Sequence, residues 1–303
     1  NFTKHIIPFL ILLISLPAFS QVKLSSLTNA PATIFLDFDG HTVQSAAWNN
    51  GNKLFCVPSG LNDVQITEIF HRVSEDYRPF NVNITTDSSV FLAAPLNQRV
   101  RMIVTQTSDW YQGVGGVAYI GSFTWGDDTP GFIFPNRLGN GAKYVAECCT
   151  HERGHTIGLQ HQSAYNNDCG LVDPYNPGSG SGEAGWAPVM GNSYYKNMTG
   201  WYNGPTPYGC DNTQDNLTII TTLNGFGYRA DDYNDEPAND NFLIAAANFS
   251  VRGIISTNVD KDAFKLVLAN NENLHIYVIP FGLNSSNAGA NLDVKVFLYN
   301  QSK

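Results

Sequence analysis

Eleven consecutive residues constrain this chain more than any other feature: His151-Glu152-Arg153-Gly154-His155-Thr156-Ile157-Gly158-Leu159-Gln160-His161. Residues four apart share one face of a helix, so His151 and His155 can present two imidazoles side by side. Such a pair can clamp one Zn²⁺ at ~2.0–2.1 Å. Glu152 lies at the rim of that face, within reach of water but off the metal. Gly158 supplies the left-handed backbone needed to leave the helix sharply. The chain can then turn back and bring His161 to the same point. Three neutral imidazoles leave one tetrahedral position open, as a catalytic rather than a structural zinc site requires. The alternative is a helix that carries histidines for packing. Three of the chain's seven histidines fall within this stretch, with Glu and Gly in the slots the chemistry needs.

The rest of the chain reads as α+β. Ala32–Asp37 is a strand pattern, and 62–78 a helix pattern stopped by Pro79, with Val64, Ile66, Ile69, Phe70 and Val73 at helical spacing. Strands are expected at 81–86, 99–105, 114–123 and 131–134. A second helix is expected at 141–157, and a third at 211–223, capped by Asp211 or Asn212 with Leu217, Ile220 and Leu223 as its apolar face. Strand patterns at 251–256, 263–268, 274–279 and 292–298 imply a small all-β sandwich.

The His-rich stretch resembles that of the metzincin superfamily of zinc proteases. The resemblance implies a mixed sheet, a zinc helix and a methionine-bearing turn beneath the metal. Ala187-Pro188-Val189-Met190-Gly191 fits that turn, with Met190 lying 29 residues after His161. It further implies that substrate pairs with an edge strand, here Gly116, Val117, Ala118 and Tyr119. The blocks 35–42 and 73–82 look like a bacterial secreted metzincin group. Asn258-Val259-Asp260-Lys261-Asp262-Ala263-Phe264 is similar to a turn of the pre-peptidase C-terminal domain of exported proteases. Some metzincins place a tyrosine two residues after the methionine, but Asn192 occupies that slot here. Tyr194 and Tyr195 are the nearest tyrosines; neither is read as a ligand, either can lie near the site or act as an oxyanion donor, and plain packing is the reading preferred for both. On this reading His151, His155 and His161 hold the metal, and Glu152 is the general base for a metal-activated water. The expected activity is zinc-dependent endopeptidase, with proteins or peptides as substrates.

The N-terminus has a basic head, Lys4-His5, an apolar run over 6–16 and small residues at Ala18 and Ser20, the pattern of a cleaved export signal. The run is short of the ~20 residues a spanning helix needs. The organisation read from this is signal peptide 1–20, short segment 21–31, catalytic domain 32–228, linker 229–247 and C-terminal β domain 248–303. The product is expected to be secreted, with no membrane span after signal removal. A net charge of −9 argues against nucleic acid as a partner. Export permits disulfides, and among five cysteines Cys169 and Cys210 lie in polar loops where at least one is expected to be bridged. Cys148 shares a face with His151 one turn earlier and is placed under the ligands rather than on the metal. Asp37 and Asp39 are a candidate calcium pair, or simply a strand-end turn.

Two rival readings exist. Ile34-Phe35-Leu36-Asp37-Phe38-Asp39-Gly40 and Met102-Ile103-Val104-Thr105 resemble motifs of haloacid dehalogenase-type phosphatases, a fold that needs more alternating helices and parallel strands than this chain supplies. An exported adhesion or carbohydrate-binding protein with a relic zinc site would have no use for Glu152.

Overall fold

The computed structural model describes residues 22–236, 242–244, 249–267, 273–283 and 289–300. The expected signal peptide lies outside the described residues. Among these, no helix is long and apolar enough to cross a membrane.

The centre is a mixed sheet. Strand β1, Ala32–Asp37, is buried at every position, as a strand covered on both faces must be. It pairs in parallel with β2, Val82–Thr85, and with β3, Arg99–Val104. Strand β4, Gly116–Val117, pairs antiparallel with β5, Gly131–Ile133, and β5 pairs in parallel with β3. The order is therefore β2-β1-β3-β5-β4, which puts β4 at an edge. The expected strand over 114–123 is shortened, because Gly121 takes φ 77° and Ser122–Thr124 forms a 3₁₀ turn.

Helices α1, Asp63–Asp76, and α3, Ala142–Thr156, cover one face of the sheet. Asn62 caps α1 through a reciprocal bond pair with Gln65. Ile66, Ile69, Phe70 and Val73 face the core, whereas Val64 is exposed. On the other face lie helix α2, Ser88–Ala93, whose Phe91 stacks on Phe35, and a second cluster of Trp48, Phe132 and Phe134.

Two expectations are corrected. Residues 211–215 are not helical: Gly209–Asp215 pairs with Asn203–Thr206 as a hairpin, and helix α4 is only Asn216–Leu223. The hairpin gives the polar side chains of 211–215 better partners than a helix would. Thr206 donates to Asn212, and Gln214 brackets the backbone of Gln160. Asp215, not Asp211 or Asn212, caps α4. Ile220 is buried in its face, but Leu223 is 63% exposed. The second correction concerns the C-terminal strands. Among the described residues after 236, the strand pair is Phe242–Ile244 with Phe264–Leu266, parallel, and its first strand lies within the expected linker. The patterns at 251–256, 274–279 and 292–298 form no strand there. Ile276, Tyr277, Val278, Ile279, Phe297 and Leu298 are exposed, so among the described residues that stretch has no second layer to bury against.

The back of α3 is tied to α1 by buried carboxyls. Thr150 Oγ1 donates to Asp76 at 2.6 Å, and Asn291 Nδ2 donates to its other oxygen at 2.7 Å. Ser193 donates to Glu147 at 2.7 Å. Burial, and then the nearby Glu147, push Asp76 up to about 8. A carboxyl raised in the fold contributes stability that is complete below its ordinary value and lost as pH rises through the raised one. Stability should therefore fall as pH rises from 3.8 to about 8 and level off above it, and Asp76→Asn should flatten that fall; thermal unfolding of both proteins across this range is the check.

Candidate metal centre

The histidine stretch folds as its spacing requires. Helix α3 carries His151 and His155, and Ile157 closes it. Gly158 leaves at φ 100°, a backbone open to glycine. His155 Nε2 then lies 3.0 Å from His161 Nε2. Two ~2.05 Å bonds at a tetrahedral angle would put donor nitrogens about 3.3 Å apart, so this pair is spaced for one ion. One donor atom from each of the three histidines lies within 4.8 Å of the others.

The orientation of the rings comes from outside the helix. His151 Nδ1 meets the carbonyl of Val189 at 2.8 Å, and His155 Nδ1 meets that of Leu159 at 2.7 Å. A carbonyl only accepts, so each Nδ1 carries the proton and each Nε2 keeps its lone pair for the shared point. Bonds of this kind hold metal-ligating histidines in register. Burial lowers all three histidines, His155 to about 4, with the neighbouring imidazoles adding to the effect for His151 and His155. They are neutral at pH 7, the form that binds metal.

His161 is placed by its neighbours. Gln160 is clamped at both backbone groups by Gln214. Gln162 N–H donates to Met190 O at 2.7 Å, and its side chain donates to the carbonyls of Tyr202 and Gln214. Nothing in the spacing of the histidines pointed to Gln214, because its part depends on the 203–215 hairpin. Cys169 and Cys210 form a disulfide that joins that hairpin to the loop after His161. Cys56, Cys148 and Cys149 are free and buried.

Met190 is fully buried under the site. A Cβ at Gly154 would run into Met190 Sδ, so the glycine inside the motif is where the methionine turn presses on α3. Gly116 does the same for the edge strand. A Cβ there would meet Cys148 Sγ and Glu152 Cγ at 2.7 Å each and Phe132 O at 2.8 Å. Cys148 thus packs between α3 and β4, and burial raises its thiol well above the ordinary value.

Glu152 is buried, and burial alone pushes its carboxyl up to about 8. A cation held by the adjacent histidines is what would keep it ionised at neutral pH. Of the two expected tyrosines, Tyr194 lies at the floor beside Cys148 and Gly115. Tyr195 is 77% exposed and rests on Tyr144 rather than on the histidines. Tyr175, which the histidine motif did not point to, has its ring 4.6 Å from that of His161. Of the edge residues, Gly116 and Val117 form β4. Tyr119 donates from its hydroxyl to Ala47 O, and Gly121 N–H donates to His155 O at 2.9 Å, which ties the edge segment to α3.

Asp37 is fully buried and bound to Arg101, and no third carboxylate or histidine donor joins Asp37 and Asp39 among the described residues. Gly40 at φ 95° fits the strand-end turn. That buried ion pair also leaves Asp37 no opening as a phosphatase nucleophile. Carboxylates gather instead at Asp231, Asp235 and Asp260, and at Asp231, Asp232 and Asp262. Burial and this crowding raise Asp262 to about 7.

No protein-family model matches the chain, and no curated protein matches it significantly.

Two outcomes follow from the geometry. Gly154→Ala should cost about 1–3 kcal/mol by overpacking against Met190 and weaken zinc retention, read by denaturant unfolding and metal analysis. A fully stable, fully loaded variant would contradict the packing described. The lowered His155 contributes stability that is present above 6.5 and lost as pH falls through about 4, and His151 and His161 act in the same direction. Zinc uptake by metal-free protein should therefore hold to well below pH 6.5; a midpoint at 6.5 would mean the imidazoles are not desolvated.

Proposed function

We propose that the chain is an exported zinc-dependent endopeptidase with a metzincin-like catalytic domain. The observation that carries the reading is the convergence of His151, His155 and His161, two of them held in the ligating tautomer by loop carbonyls, beside a buried carboxylate that ligates nothing. A structural site would need a fourth protein ligand and no acid. Zinc, when bound, would supply the Lewis acidity that polarises the scissile carbonyl and makes water a nucleophile at neutral pH.

The chain's own groups account for the remainder. Glu152 takes the proton of the attacking water and passes it to the departing amine. Strand β4 is the last in the sheet, and no described strand pairs with its outer edge. An extended peptide can add there by main-chain hydrogen bonds, directly above α3. Gly116 lets that edge sit against Cys148 and Glu152, so a peptide bound to it would present its carbonyls to the base. The sheet of four parallel strands with an antiparallel edge, the position of Met190 under Gly154 and the turn at Gly158 support the metzincin reading.

Purified mature protein incubated with casein or gelatin, with and without a zinc chelator, tests the activity. Cleavage should occur and should stop with the chelator. Absence of any chelator-sensitive cleavage would favour the binding-protein reading. Glu152→Gln should keep its zinc and lose roughly 10²–10⁴-fold in rate; a fully active variant would remove Glu152 from the mechanism.

A further inference from the structure

Three tyrosines flank the site, and their hydroxyls are not equivalent. The Tyr194 phenol lies on the floor against Gly115, where burial raises it. Tyr195 faces solvent away from the histidines. Tyr175 stands beside the histidines themselves, with ring centroids 4.6 Å from His161 and 6.5 Å from His151. Its hydroxyl makes no hydrogen bond to any described residue, whereas those of Tyr77, Tyr119 and Tyr165 each donate to a backbone carbonyl. The side chain is 42% exposed, so it lines the open side of the site and not its core.

The loop that carries Tyr175 is held from four sides. Asp173 accepts from Tyr175 N–H at 2.9 Å. Ser163 donates to Pro174 O at 2.8 Å. Asn176 N–H donates to Gln162 O at 2.8 Å, next to the third histidine, and Asn192 N–H donates to Asn176 O at 2.8 Å, next to the methionine turn. The Cys169–Cys210 disulfide closes the base of the same loop. A half-exposed aromatic ring fixed this firmly, with a free donor at its tip, is a preorganised group and not a surface side chain.

We infer that Tyr175 is the site's oxyanion donor: its phenol O–H hydrogen-bonds the substrate carbonyl oxygen as negative charge develops there. The proton stays on the phenol throughout, and no bond to Tyr175 forms or breaks. The assignment rests on the peptidase reading above and replaces Tyr194 and Tyr195 in that role.

Tyr175→Phe keeps the ring and the loop and removes only the hydroxyl. It should retain full zinc and unchanged thermal stability, leave KM near wild type, and lower kcat about 10²-fold, the usual loss for one oxyanion donor. Binding of a peptide phosphinate, whose tetrahedral oxygens stand in for the developing oxyanion, should weaken in parallel when measured by calorimetry on the zinc-loaded protein, while a product peptide should bind as before. Tyr195→Phe is the control and should match wild type throughout. If wild type cleaves in a chelator-sensitive way and Tyr175→Phe cleaves as fast and binds the phosphinate as tightly, the inference fails and the peptidase reading stands. If wild-type protein neither cleaves nor binds the phosphinate, both fail.

Discussion

Two hydrogen bonds, from His151 Nδ1 to Val189 O and from His155 Nδ1 to Leu159 O, are the constraint on which the centre depends. A helix can bring two imidazoles to one face, but it cannot decide which nitrogen carries the proton or how each ring turns about its own axis. The accepting carbonyls do both. They belong to different loops: Leu159 is one residue beyond the turn at Gly158, and Val189 immediately precedes Met190. The turn at Met190 and the helix exit are therefore parts of the candidate metal site, although neither supplies one of the three histidines. This explains why the polypeptide between Leu159 and Ala187 is so heavily cross-bonded. Any slack in it would reach the imidazoles.

The same loops place the third histidine. His161 has a flexible approach, since the helix has already ended. Its position is determined by Gln160 and Gln162, both bonded to the hairpin of 203–215, and by the bond from Gln162 to Met190. The disulfide ties the two loop systems together. A metal would then meet a largely assembled cage rather than having to collect its ligands, which reduces the ordering cost of binding.

How much of this was legible in the sequence depended on whether the signal was local. The spacing of His151, His155 and Gly158 is a helical period and a helix stop, so the local geometry followed directly. The same holds for the strand at Ala32–Asp37 and the capped helix after Asn62. The edge position of Gly116 and the place of Met190 were reached only through the resemblance, and the structure adds the physical reason: Gly116 and Gly154 leave room for Glu152 and for a methionine sulfur. What escaped was set by partners distant in the chain. Residues 211–215 alternate no more like a strand than like a helix, and the hairpin prevails through Thr206, Gln160 and Cys169. Tyr175 had no periodicity to mark it, being placed by its own bond to Asp173 and by those of the next residue, Asn176, to Gln162 and Asn192.

Arg153 shows what helix α3 tolerates in return. Its guanidinium is fully buried, stacked 4.4 Å over Phe123, and donates to Thr156 through one nitrogen. Its Nε and Nη2 have no partner among the described residues. A buried charge so sparsely bonded is costly, and even its stacking on Phe123 offsets only part of the desolvation. The position cannot relax outward, because α3 is locked on one side by Met190 against Gly154 and on the other by the Tyr77 hydroxyl and Asp76 at Thr150. The histidine face is held as well, because the carbonyls of Val189 and Leu159 meet the rings of His151 and His155 and the Gly116 edge sits against Glu152. With every face of α3 in contact, the buried Arg153 has no room to turn outward, and the backbone that bears the donor nitrogens stays fixed.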